Sequence, residues 1–123
     1  RWLEGRPRAA CWLALHNDRV VGFKFGAEQR PGAHHSHEGV VDAAYRGQGI
    51  AKELMRRQHA WAAEQGCTVV TTNTLNDNIA MLQLNLASGF DVVGVEAAGG
   101  RAKLQLRKSL AGPGFEPEAH TAV

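Results

Sequence analysis

Residues Val41 to Ala51 read VDAAYRGQGIA. A strand-like segment runs out at its start, Gly47 and Gly49 turn the chain, and a helical pattern begins at Ile50. Glycine allows positive φ and lets a backbone approach a ligand closely. The first amides of a helix have no intrahelical partner, and the helix dipole adds partial positive charge there. Such a turn suits an anion, most often a phosphate. Arg46, Lys52 and Arg56 bring full positive charge nearby. Taken alone, two glycines are a weak signal, and the turn reads more readily as an ordinary tight strand-to-helix connection. It is not a Walker loop, because no Gly-Lys-Ser/Thr follows the spacer. It is a poor Rossmann fingerprint, which needs a third glycine and an acidic residue about 20 positions on.

Outward from the turn, the helix runs from Ile50 to Gln65, with Ile50, Ala51, Leu54, Met55, Trp61 and Ala62 at helical spacing. Glu53 stands four residues before Arg57, a favourable order on a helix. Gly66 is its stop. Upstream, Cys11–His16 and Arg19–Phe25 flank Asn17-Asp18 and predict a β-hairpin. The stretch from Gly26 to His35, with Pro31-Gly32 at its tip, is turn-rich and predicts a loop. Ser36 to Ala44 predicts a third strand, with Gly39 marking a bulge or a close backbone approach. Downstream, Cys67 to Thr74 is β-branched and predicts a strand. Asn76-Asp77-Asn78 can cap a helix from Ile79 to Ser88 that Gly89 stops. Phe90–Glu96 and Ala102–Leu106 predict a final hairpin around Ala98-Gly99-Gly100. Strand, helix, strand from Ser36 to Thr74 is one βαβ unit, so its two strands are expected parallel and adjacent or nearly so. The fold class is α/β: a mixed, largely antiparallel sheet with a central parallel βαβ unit.

Composition narrows the function classes. The chain has 123 residues, 44% hydrophobic and 21% charged, which is one domain's worth and neither disordered nor collagen-like. The apolar runs are too short to span a membrane. Fourteen Lys and Arg against twelve Asp and Glu leave a net charge of +2, too little to argue for nucleic acid. Few aromatic residues interleave with Arg56, Arg57 or the basic end from Arg101 to Lys108, so no base-stacking platform is evident. Cys11 and Cys67 are expected to be reduced, strand-borne core thiols, and a cytoplasmic location follows as the default.

The turn in its wider context resembles the acetyl-CoA signature of the GCN5-related N-acetyltransferase (GNAT) superfamily, Gln/Arg-x-x-Gly-x-Gly/Ala, here Arg46, Gly49 and Ala51. The segment from Asn78 to Phe90 is similar to the family's later motif, an Asn opening a helix that ends in Gly-Phe. The hairpin around Val20-Val21-Gly22-Phe23 is similar to the family's second and third strands. The resemblance covers roughly Cys11 to Lys108, with the elements in the same order.

The resemblance implies a GNAT-type acyl-CoA N-acyltransferase fold and an enzyme that transfers an acetyl group from acetyl-CoA to a primary amine of a small molecule or peptide. It implies that the CoA pyrophosphate rests on Arg46, Gly47, Gln48, Gly49, Ile50 and Ala51. It further implies that the pantetheine arm pairs with backbone near Val41, that an N–H at Val40 or Val41 polarises the thioester, and that Asn78 contacts the arm. A base on the preceding strand is the family's usual arrangement; the sequence offers His34, His35, His37 and Glu38 there, and Glu38 and His37 are the favoured candidates. Strand alternation puts His35, His37, Gly39 and Val41 on one face and Glu38 with Val40 on the other, unless a bulge near Gly39 exchanges them. Many members carry a Tyr acid five residues before the Phe of Gly-Phe. Here that position is Asn85, which can hydrogen-bond a thiolate but not protonate it. A metal on His34, His35 and His37 is a rival reading that adjacent histidines on one loop serve poorly, and no metal is expected. The alternative function is a non-catalytic acyl-CoA-binding module or sensor.

The family's first strand and two helices have no counterpart in the ten residues before Cys11, so an N-terminally truncated domain is expected over 1–110, with a loose tail over 111–123. Arg1-Trp2-Leu3-Glu4 reads as the stub of the second helix. A sheet left bare near Trp2, Trp12 and Leu13 is association-prone, so a homodimer or strand exchange is expected.

Overall fold

The computed structural model describes residues 8–110. The predicted helix stub and the tail over 111–123 lie outside these described residues. Six strands form one sheet in the order β1-β2-β3-β4-β6-β5. They are β1 (Ala10–His16), β2 (Arg19–Arg30), β3 (Ala33–Val41), β4 (Val69–Leu75), β5 (Asp91–Ala98) and β6 (Arg101–Ser109). All neighbours are antiparallel except β3 and β4, the parallel pair that the βαβ reading requires. Helix α1 (Ile50–Glu64) joins that pair and packs across β1, β2 and β3. Helix α2 (Ile79–Ala87) contacts β4. No helix among the described residues is long and apolar enough to cross a membrane.

The turns follow local chemistry. Asn17 and Asp18 both take positive φ, 50° and 63°, as do Gly99 and Gly100 at 59° and 79°. That is the backbone a two-residue hairpin needs to match strand twist. Gly66 at φ 88° ends α1 and Gly89 at φ 102° follows α2.

The loop predicted over Gly26 to His35 is the main correction. It is strand, turn and strand: β2 runs on to Arg30 and β3 begins at Ala33, with Ala27 opposite His35 and Glu28 opposite His34. Only the Pro31-Gly32 tip turns, with Gly32 at φ 81°. Weak β-propensity is overridden here because β3 is paired on both sides, and burial rather than composition decides. Consequently β3 spans Ala33–Val41 rather than Ser36 to Ala44, and Ala43–Tyr45 form a short 3₁₀ turn. The thiols also differ from expectation. Both are free, but Cys11 is exposed on β1, and Cys67, though buried, precedes β4.

The core lies between α1, β4, β6 and the α2–β5 connection: Met55, Ala62, Cys67, Val70, Phe90, Leu106 and Leu110, with Trp61, Leu82 and Leu84 against it. Each buried Leu, Val, Met or Phe there contributes about 1.5–3 kcal/mol of transfer free energy. Trp12 also points to the α1 side, its ring edge-on to Trp61 at 5.6 Å. It is therefore not on the bare face, where Leu13 and Leu15 are 56% and 61% exposed.

Candidate active site

The glycine turn is built from main chain. After Val41, Asp42 N–H donates to Val21 O at 2.8 Å and Tyr45 N–H to Asp42 O at 2.8 Å, which folds the chain back sharply. Gly47 and Gly49 then take φ of 78° and 84°, strained for any other residue. Gly49 is the N-cap of α1 and supplies no side-chain cap. The first helical bond runs from Glu53 N–H to Gly49 O at 3.0 Å, leaving the amides of Ile50, Ala51 and Lys52 without intrahelical acceptors. A Cβ built on either glycine meets nothing within 4 Å, so the space before these amides is open. Open space, free amides and a helix N-terminus fit a phosphate. Arg46 folds back, its Nε donating to Val41 O at 2.9 Å. Arg56 is not free to add charge here, because Glu53 holds it at 2.7 Å and Arg57 at 2.8 Å. Those two guanidiniums pull the Glu53 carboxyl down to about 2.

The turn opens into a cleft of about 470 Å³ between α1, α2 and the ends of β2 and β3. Val40, Val41, Arg46, Gly47, Gly49, Ile50, Ala51 and Asn78 all line it, so the structure brings together eight of the nine cofactor residues proposed from sequence. Gln48, the ninth, is exposed and not part of the lining. Asn78 also caps α2, its Oδ1 accepting from Met81 N–H at 3.4 Å. Behind the cleft the sheet splits. β3 and β4 pair only from Ala33–Val69 to Ser36–Thr72, whereas β3 stays with β2 to Val41 and β4 stays with β6 to Leu75. A wedge therefore opens between residues 37–41 and 73–75.

On one side of the wedge, a bulge sets the geometry. Phe25 pairs with Glu38 and Gly26 with Ser36, so His37 is the extra residue, two positions before the predicted site at Gly39. The bulge brings His37 and Glu38 to the same face, the one away from α1. His37 stacks on Phe25 at 6.1 Å, with His35 edge-on at 4.4 Å. His35 Nδ1 is 2.7 Å from Thr71 Oγ1, and burial lowers its pKa. His34, next in sequence, lies on the opposite face, so the three histidines do not converge. Among the described residues, no group of three or more His, Cys, Asp or Glu is arranged to hold a metal ion.

On the α1 side lie Lys24, Gln58 and His59, which sequence reading missed, and His34, for which it found no such surroundings. Lys24 is 9% exposed, lines the cleft and faces Gly39 across the β2–β3 pair. Burial lowers its pKa to about 8. Deeper in, His34 is fully buried, with its Nε2 accepting from Gln58 Nε2 at 3.3 Å and its ring between Trp12 and Trp61. Burial lowers its pKa to about 4. His59 accepts at Nδ1 from Lys108 Nζ at 3.1 Å, and burial holds its pKa well below the usual range. His34 Nδ1, Gln58 Oε1 and His59 Nε2 are buried without partners. The only sequence signal was that Gln58 and His59 extend the 51, 54, 55, 62 stripe of α1. Asn85 is also buried, at 3% exposure. Its Nδ2 donates to Thr74 Oγ1 at 2.9 Å, and it is not among the lining residues of the cleft.

The sequence model of the Acetyltransferase (GNAT) family matches residues 1–90. No curated protein matches the chain. Solved structures do match in fold. An IAA acetyltransferase from Bacillus cereus superposes with TM-score 0.75 at 22% identity, over 84% of this chain and 79% of that one. A Bacillus subtilis acetyltransferase in complex with CoA gives 0.76 at 21% identity, over 89% and 80%. A candidate streptothricin acetyltransferase from Bacillus anthracis, in complex with acetyl-CoA, gives 0.78 at 20% identity, over 85% of this chain but only 64% of that one. At these identities the likeness is one of fold.

Proposed function

The chain belongs to the Acetyltransferase (GNAT) family, and on that premise we propose that it transfers an acetyl group from acetyl-CoA to a primary amine of a small molecule or peptide by direct attack. The observation that carries the reading is the continuity of the cleft. It runs from an open cradle of free amides to Lys24 and to Gly39, Val40 and Val41, where β3 is no longer paired with β4.

Each part has a job in that chemistry. The amides of Ile50, Ala51 and Lys52, with Arg46 and Lys52 beside them, take the pyrophosphate. The wedge takes the pantetheine arm, whose amides pair with main chain at Val40 and Val41. A backbone N–H at Val40 or Val41 donates to the thioester oxygen as charge builds there, without reorganisation cost. The amine arrives on the open face, where the bulge presents His37 and Glu38, and one of these takes its proton directly or through water. Attack at the carbonyl carbon forms the C–N bond and expels CoA. Asn85 has no part in this scheme, since its carboxamide is turned to Thr74. Solved structures of similar fold that hold acetyl-CoA or CoA support the choice of acyl donor.

The test is CoA release from acetyl-CoA with a panel of polyamines, amino acids, aminoglycosides and peptide N-termini. Turnover with at least one amine is expected. Glu38→Gln or His37→Gln should lower kcat about 100-fold and remove the acidic limb of the pH profile, which identifies the base. CoA binding without turnover across the panel would replace the enzyme reading with a binding module.

A further inference from the structure

We propose that Lys24 is the catalytic acid that protonates the departing CoA sulfur at the inner end of the cleft. This rests on the acetyl-transfer reading above.

The geometry starts with Gly39. It is the strand partner of Lys24, and a Cβ there would lie 3.3 Å from Lys24 Nζ and 3.4 Å from its Cγ. The lysine chain thus lies over β3 in the space a side chain at 39 would occupy. Its ammonium therefore sits over Gly39, in the part of β3 that is no longer paired with β4. Among the described residues it makes no hydrogen bond or ion pair, yet it is 9% exposed and lines the cleft. An ammonium largely shielded from bulk water, at the wall of an open cleft, favours an anion in that cleft.

The surroundings supply none. The facing groups are His34 on β3, His59 on α1 and, beside it, Lys108 on β6. Glu28, on the same strand, is committed to Arg8 and to the Gly32 amide. In the cleft itself the other ionisable side chains are Tyr45, Arg46 and Lys52, all at the glycine turn. Phosphates belong at that outer end, so the group that meets Lys24 is the far end of the cofactor, where sulfur gains negative charge. Burial brings the Lys24 pKa to about 8, close to that of a thiol. A proton donor matched to its acceptor in this way transfers efficiently in both directions.

The step balances. The neutral amine nitrogen attacks the thioester carbon, the C–N bond forms and the C–S bond breaks. Sulfur takes the bonding electron pair and a proton from Lys24 Nζ. The new amide nitrogen gives its surplus proton to the base on the opposite face, and solvent reprotonates Lys24. Acid and base thus stand on opposite faces of β3, with the thioester between them.

The experiment compares wild type with Lys24→Met and Lys24→Arg in the intact chain. Both variants should bind acetyl-CoA within about threefold of wild type and lose about 100-fold in kcat. Wild-type kcat should fall above about pH 8, as Lys24 loses its proton. Lys24→Met and Lys24→Arg should both lack that alkaline limb, because Met carries no proton and the guanidinium does not release one. A binding readout is independent of turnover. The ultraviolet absorbance of bound CoA thiolate at fixed pH should be about tenfold lower in Lys24→Met than in wild type. Turnover within threefold of wild type, an unchanged alkaline limb, or an acetyl group found on Lys24 itself would overturn the inference alone. Failure of the wild type to bind acetyl-CoA would remove the acetyl-transfer reading with it.

Discussion

The outer end of the cleft is made of main chain: two glycines at positive φ, three free amides and an open space before them. The inner end is lined by Lys24 over Gly39, and behind it, under α1, are packed His34 on Gln58 and His59 on Lys108. The outer end depends on a few consecutive residues. The inner end depends on four elements, β2, β3, α1 and β6, meeting in one register. Binding at the outer end therefore tolerates change in most side chains but not in backbone freedom, whereas the inner end is sensitive to volume and charge.

Gly49→Val breaks the outer end. It forces a β-branched residue to φ 84° and fills the cradle. Affinity for CoA is expected to fall roughly 1,000-fold by calorimetry, with the fold intact by circular dichroism. Unchanged affinity would mean that the phosphates lie elsewhere.

Lys24→Met sharpens the contrast at the inner end, where a functional loss should come with a gain in stability. The folded-state pKa of Lys24, about 8, lies below its ordinary 10.5, so the unfolded chain binds more protons between those values. Stability therefore rises with pH across that window and carries the full cost below it. Removing the amine should raise the folding free energy at pH 7 by up to about 3 kcal/mol and flatten the rise above pH 8. Urea unfolding at a series of pH values measures both.

Gly26→Ala probes a glycine whose need lies in packing rather than in a turn. A Cβ there would press on His35 O, lie 2.6 Å from His34 Nε2 and lie 3.0 Å from Gln58 Nε2. The His34–Gln58 pair crosses β2 at that point, so a loss of about 2 kcal/mol is expected in the same urea assay.

This difference also explains what could be read in the sequence. Arg46 through Ala51, the Asn78 cap and the stops at Gly66 and Gly89 are local, and each glycine or cap residue has one physical use. Arg19 to Phe25 alternates, with Lys24 on the face opposite Phe23 and Phe25, but alternation does not say which face α1 covers. A lysine is ordinarily assigned to water. His34 and His35 fall in a segment where Gly26, Pro31 and Gly32 signal a turn, and nothing local reveals that β4 and β2 both pair with it. Asn85 was found by its position in the helix, but its partner Thr74 belongs to another strand.

The split between β3 and β4 has a mechanical side. Among the described residues, four residue pairs are all the ladder that joins the β1-β2-β3 ribbon to the β4-β6-β5 ribbon. A ligand whose own amides bridge the gap would act as a missing rung, stitching two half-sheets into one continuous hydrogen-bonded body. Loading with acyl donor would then stiffen the seam before any amine arrives, and amide exchange across residues 37–41 would slow with it.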